Sequence, residues 1–194
     1  GINPKTRRMD RAPEPLTSGA EQEVDPSVSS DGRMVFVTAN ERLNLWVLPI
    51  DANSGRAAGK AEPLTQSAAI TTRPSLSSDA RMVVYVSDAG QDGATPQVWL
   101  QQVGGSAVQL TRGMRECAEP TFSADDTRVI FSAAADSTRH LYEMPALGGQ
   151  PRVLKRAGRN GRFSPDGKWL VYLSIDARDA VRLVSGDGTE RVLT

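Results

Sequence analysis

The lone histidine, His140, is the first residue to weigh for catalysis, because a serine or cysteine nucleophile needs a base to take its proton. It opens the run HLYEMP, and Asn44, Gln97 and Ala180 open comparable runs elsewhere, so it stands where a polar residue at the start of a strand is ordinary. No G-x-S-x-G elbow accompanies it, and no catalytic residue is assigned. Cys117 is also alone, which rules out an internal disulfide and any metal site built from several Cys and His side chains. A phosphate loop of the G-x-x-x-x-G-K-[ST] kind is missing, so neither a cofactor nor a metal is expected.

Ion-pair and hydrogen-bond chemistry remains, and it gathers in one recurring position. Asp25, Arg73, Glu119 and Asn160 stand at the head of DPSV, RPSL, EPTF and NGRF. An acid, a base, an acid and an amide brought side by side either neutralise one another or present a polar surface to a peptide or a chain terminus. These four form the candidate binding face. A second set of carboxylates, Asp31, Asp79, Asp125 and Asp166, lies in SSDG, SSDA, SADD and SPDG. With Gly32 and Gly167 they read as structural turns. Asp bonds back to nearby amides, and Gly takes the left-handed conformation that feeds the chain into the next strand.

The turn aspartates recur at intervals of 48, 46 and 41 residues, a period at which one unit is a four-stranded propeller blade. Four residues past each stand Val35, Val83, Val129 and Leu170; next come Phe36, Val84, Ile130 and Val171, then Val37, Tyr85, Phe131 and Tyr172. Both faces of this strand are apolar, as expected of a sheet sandwiched between two others. A third strand follows in NLWVLP, QVWLQQ, HLYEMP and AVRLVS, putting Trp46, Trp99, Tyr142 and Arg182 in one column. The fourth ends at Leu64-Thr65, Leu110-Thr111, Leu154-Lys155 and Leu193-Thr194.

The predicted architecture is all-β, with blades at 25–65, 66–111, 112–155 and 156–194. Residues 1–24 supply the trailing hairpin of a preceding blade and a linker, because Ile2 and Leu16 precede Ile50 and Leu64 by one full repeat. Four blades and a half-blade hairpin read as a partial propeller, a fragment of a larger one. Its open blade faces and edges are expected to drive self-association.

The stretches PSVSSDGRMVFV, RPSLSSDARMVVYVS, EPTFSADDTRVIFS and RFSPDGKWLVYLS resemble the WD-like repeat of TolB-type propellers, written P-x-W-S-P-D-G before an apolar strand. Val28, Leu76, Phe122 and Phe163 replace the frequent Trp, and only the last unit keeps SPDG. The resemblance implies a bacterial, non-catalytic module that binds a protein or peptide, often in the periplasm. It also admits two alternatives: the substrate-gating propeller of a prolyl-oligopeptidase or tricorn-type peptidase whose catalytic domain is absent, and a ligand-sensing domain of a bacterial regulator.

Charge narrows the partner class further. The 23 basic and 23 acidic side chains cancel, whereas a nucleic-acid surface needs an excess of Lys and Arg to displace counterions. No run approaches the roughly 18 to 20 apolar residues of a membrane-spanning helix, so insertion into a membrane is not expected.

Overall fold

A computed structural model describes residues 22–28, 33–39, 42–90, 95–176 and 180–193, which form strands and turns and include no helix. The chain divides into two compact units, 1–41 and 42–194. In the first, β1 (Gln22–Val28) pairs antiparallel with β2 (Met34–Ala39), and the register shifts between Val24 and Ser27, around Asp25-Pro26. The expected hairpin at 1–24 falls almost wholly outside the described residues, as do Asp31 and Gly32.

The second unit begins with two short ladders. β3 (Trp46–Val47) pairs with β6 (Glu62–Pro63), while β4 (Ile50–Asp51) pairs with β5 (Arg56–Ala57). Pro49 stands between β3 and β4, and Pro63 sits in β6; neither has an N–H to extend a ladder. The segment 25–65, expected as one blade, is represented by β1 and β2 in one unit and by these pairs in the other.

Three four-stranded antiparallel sheets follow, each a simple up-and-down run. The first contains β7 (Thr71–Leu76), β8 (Met82–Ser87), β9 (Gln97–Gln102) and β10 (Ala107–Gln109). The second contains β11 (Arg115–Phe122), β12 (Arg128–Ala135), β13 (Thr138–Pro145) and β14 (Arg152–Lys155). The third contains β15 (Gly158–Phe163), β16 (Trp169–Ser174), β17 (Ala180–Ser185) and β18 (Glu190–Leu193). Tyr85 lies opposite Trp99, Phe131 opposite Tyr142 and Tyr172 opposite Arg182, so the repeating columns of the sequence are matched rungs of three ladders.

The period-2 geometry of a strand sends alternate side chains to opposite faces, and here both faces are used. Val83 and Tyr85 pack with Leu45, Leu64 and Trp99 on one side. Val84, Val98 and Leu100 pack with Phe122, Val129, Phe131 and Met144 on the other. Ile130 and Leu141 then meet Leu170, Tyr172 and Val184. Complete burial of each aliphatic side chain in these layers contributes about 1.5–3 kcal/mol, and that is what holds sheet against sheet.

Candidate functional site

Arg73, Glu119 and Asn160 occupy equivalent places on β7, β11 and β15, the strands through which the three sheets adjoin. Each sits at a register shift with positive φ (55°, 56° and 53°), a conformation that side chains with a Cβ seldom adopt. Pro74 and Pro120 follow the first two and cannot donate to a ladder, so the pairing breaks and the bulge re-aims the preceding side chain. Asp25 falls at the corresponding shift of the first unit's hairpin, and its side chain is not among those described.

The three residues are brought into direct contact. Arg73 Nη1 donates to Glu119 Oε1 at 3.0 Å, and the Asn160 backbone N–H donates to Glu119 Oε2 at 3.0 Å. Ser132 Oγ donates to the same Oε2 at 2.8 Å. With its amide turned to satisfy both groups, Asn160 Nδ2 also donates to the two carboxylate oxygens, at 2.8 and 2.6 Å. Glu119 thus spends its acceptor capacity inside the chain, tying three sheets together. Its side chain is only 13 % exposed, while that of Arg73 is 55 % exposed. Next to them Arg162 Nη1 donates to the Gly161 and Glu119 carbonyls, at 2.8 and 3.4 Å, and has no carboxylate partner among the described residues. The outward chemistry of this edge is therefore guanidinium.

The turn aspartates form a second recurring set. In Ser77-Ser78-Asp79-Ala80 the Ala80 N–H donates to Ser77 O at 3.0 Å, and Ala80 takes φ 56°. Asp79 Oδ1 accepts from the Ser77 hydroxyl at 2.7 Å and the Arg81 N–H at 3.0 Å. Asp125 repeats this with Ser123 and Thr127, and Asp166 with Ser164 and Lys168. The serine hydroxyl, with help from the backbone N–H, holds the Asp79 and Asp166 carboxyls below the usual range and brings Asp125 to about 2. All three are tied into their own turns. Asp187 does the same with Ser185 and Thr189 in the last hairpin, again at about 2.

His140 has a structural partner that its sequence position does not reveal. Its Nδ1 accepts from the Ala157 N–H at 3.3 Å, where the chain crosses from β14 to β15. Gln97 serves the preceding crossing, donating from Nε2 to Met114 O at 2.7 Å, and Asn44 Oδ1 accepts from Ser67 N–H at 3.1 Å. Thr111 and Thr65 complete these clasps, their hydroxyls donating to Gln97 Oε1 and Asn44 Oδ1.

At the column position of Trp46, Trp99 and Tyr142, Arg182 builds an ionic cluster instead. Arg182 and Tyr172 both donate to Glu190 Oε1, at 3.1 and 2.7 Å, and Lys155 reaches Oε2 at 3.0 Å. Burial, then the bond to Glu190, pushes the Tyr172 phenol up; the same bond leads in drawing the Glu190 carboxyl down. Cys117 is buried, which raises its thiol, so it is not a ready nucleophile. Among the described residues no three of His, Cys, Asp and Glu are grouped to hold a metal ion, and no helix is long and apolar enough to cross a membrane.

Radially repeated four-stranded meanders, joined by clasped crossings and bulged at each adjoining strand, define a β-propeller module. The chain belongs to the TolB β-propeller domain family, whose model matches residues 11–193. TolB from Acinetobacter baumannii superposes with a TM-score of 0.62 at 21% identity, over 78% of this chain and 37% of that one. A protein described as a TolB from Agrobacterium tumefaciens gives 0.58 at 16% identity, over 91% and 82%. A prolyl endopeptidase studied for inter-domain dynamics in catalysis and specificity gives 0.56 at 15% identity, over 90% and 29%. The chain thus spans little more than a third of the Acinetobacter protein. No curated protein sequence matches it.

Proposed function

We propose that this chain is a non-catalytic partner-binding module, and that the partner is a protein or peptide that brings a carboxylate to the Arg73–Glu119–Asn160 edge. The observation that carries this is the division of labour at the edge. Glu119 is consumed by Arg73, Ser132 and Asn160, while exposed Arg73 keeps donors beyond the one it uses and Arg162 has no carboxylate partner among the described residues. A guanidinium offers planar, paired donors suited to a carboxylate. Asp25 holds the equivalent place in the sequence repeat. The peptidase-gating reading rests on likeness of fold alone, a weaker warrant than site chemistry.

The test is calorimetric titration with a tetraglutamate peptide, with tetralysine as control. The glutamate peptide is expected to bind more weakly as salt rises. Arg73→Gln with Arg162→Gln should weaken it about tenfold. Equal binding of both peptides, or no effect of the double substitution, defeats the reading.

A second interaction, between copies of the chain, is favoured by the outer face of the third sheet. Val84 and Ile130 are wholly buried by the sheet that follows theirs, and so are Val98 and Leu141. Their counterparts Val171 and Val181 are not: Val171 is half-buried and Val181 is 36% exposed, beside Trp169, Leu173 and Leu183 on one face. We propose this contiguous apolar sheet face as the surface through which copies of the chain associate.

A further inference from the structure

On the side of the Asp79, Asp125 and Asp166 turns, two clefts open between neighbouring sheets, and equivalent residues line them. One lies between the first and second four-stranded sheets and encloses about 430 Å³ around Met82, Leu100, Phe122, Ala146 and Leu147. The other lies between the second and third, around Arg128 and Phe163, and encloses about 290 Å³. Phe122 and Phe163 are the same column of the repeat, as are Met82 and Arg128, and Leu100 and Glu143.

The exchange at these columns changes the chemistry. Arg128 Nη1 donates to Glu143 Oε2 at 3.1 Å, an ion pair with its carboxylate buried. In the other cleft Met82 and Leu100 leave an apolar floor. The wall differs as well, because Ala146 and Leu147 stand where the third sheet has Gly186 and Asp187. Leu147 is 89% exposed above the cleft.

The mouth is acidic and braced. Asp79 and Asp126 are the charged residues lining the cavity. Asp126 Oδ2 accepts from the Ser78 N–H at 2.9 Å and from the Ser78 hydroxyl, so the two turns are tied across the gap. Arg81 approaches Asp79 at only 3.8 Å and is 81% exposed, a pairing of little strength. An apolar well of this size is in the range that takes a large side chain, and its rim complements positive charge.

We propose that the cleft between the first two four-stranded sheets docks an apolar side chain of a partner protein, leucine or phenylalanine, with lysine or arginine beside it. The site shares no residue with the Arg73–Glu119–Asn160 edge and selects the opposite charge.

The experiment is a titration of the whole 194-residue chain with acetyl-Lys-Leu-Lys-amide, read from the methyl resonances of Met82, Leu100 and Leu147. Saturable shifts at these methyls are expected. A Glu-Leu-Glu analogue should bind about two- to fivefold more weakly per reversed charge. Leu147→Ser, at a position too exposed to endanger folding, removes the apolar wall without adding charge and should weaken the lysine peptide at least about tenfold. Met82→Arg with Leu100→Glu, which writes the neighbouring ion pair into this cleft, should abolish binding while an unchanged β-sheet spectrum confirms folding. Absence of saturable shifts, equal affinity for the glutamate analogue, or unaltered binding by Leu147→Ser overturns the proposal. Arg73→Gln should leave this titration unchanged, which separates the site from the edge.

Discussion

The backbone N–H of Asn160 donates to the Glu119 carboxylate at 3.0 Å across 41 residues of chain, joining one sheet to the next. The same carboxylate takes Ser132 and Arg73, and a hydrogen bond to a charged group is worth about 1.5–3 kcal/mol. Glu119→Ala is therefore expected to lower unfolding free energy by roughly 2–3 kcal/mol in urea titration, and Glu119→Gln by about half that. A loss below about 0.5 kcal/mol for the alanine variant, the level of an ordinary surface change, would show that Glu119 does not hold the sheets together.

Thr111 is the keystone of a buried clasp. Its hydroxyl accepts the Val98 N–H at 2.9 Å and donates to Gln97 Oε1 at 2.9 Å, and Gln97 in turn reaches Met114 at the crossing to β11. Thr111→Val keeps the shape and removes the oxygen, leaving two buried polar groups without their partner. The expected cost is about 1–3 kcal/mol, visible as a lower melting temperature. Faster exchange of the Val98 amide is the local signature; unchanged exchange there would refute the assignment.

How far the sequence speaks depends on how local the physics is. The Ser-x-Asp turns were legible because each bond spans two to five residues, as Ser77 to Asp79 and Met82 does. The apolar columns were legible because burial on both faces leaves no polar alternation. Arg73, Glu119 and Asn160 were visible as a column, and their mutual bonding was not, because it depends on a positive φ that tertiary packing imposes. His140 looked ordinary for the same reason: its partner, Ala157, lies across the sheet-to-sheet crossing. The exchange of Met82 and Leu100 for Arg128 and Glu143 lay open in the repeat, but only the packed sheets show that both columns line one cleft.

Asp125 gives the turns a defined acid response. Its folded pKa, about 2, lies below the unfolded 3.8, chiefly because the Ser123 hydroxyl donates to it. The sign follows: its stabilisation is complete above the unfolded value and is lost as pH falls through the folded one. Asp125→Asn should flatten the fall of stability between about pH 4 and 2. Ser123→Ala should move the Asp125 titration, followed by carboxyl NMR, back toward the ordinary carboxylate range. A titration unmoved by the loss of Ser123 would mean that the hydroxyl is not the cause.

Val171 and Val84 share one column and differ in cover, so the same substitution should do different things to them. At Val84, wholly enclosed between sheets, aspartate introduces an unpaired buried charge, and Val84→Asp is expected to cost more than about 4 kcal/mol or prevent folding. At half-buried Val171, on the outer face with Leu183 opposite it, Val171→Asp should cost no more than about 1 kcal/mol. If that face is where copies of the chain meet, sedimentation velocity will show concentration-dependent association in the unsubstituted chain. Val171→Asp will then raise the dissociation constant at least about tenfold by putting like charges into an apolar contact. A chain that sediments as a monomer across the concentration range, or a Val171→Asp variant that associates as strongly as before, removes this face from the binding account.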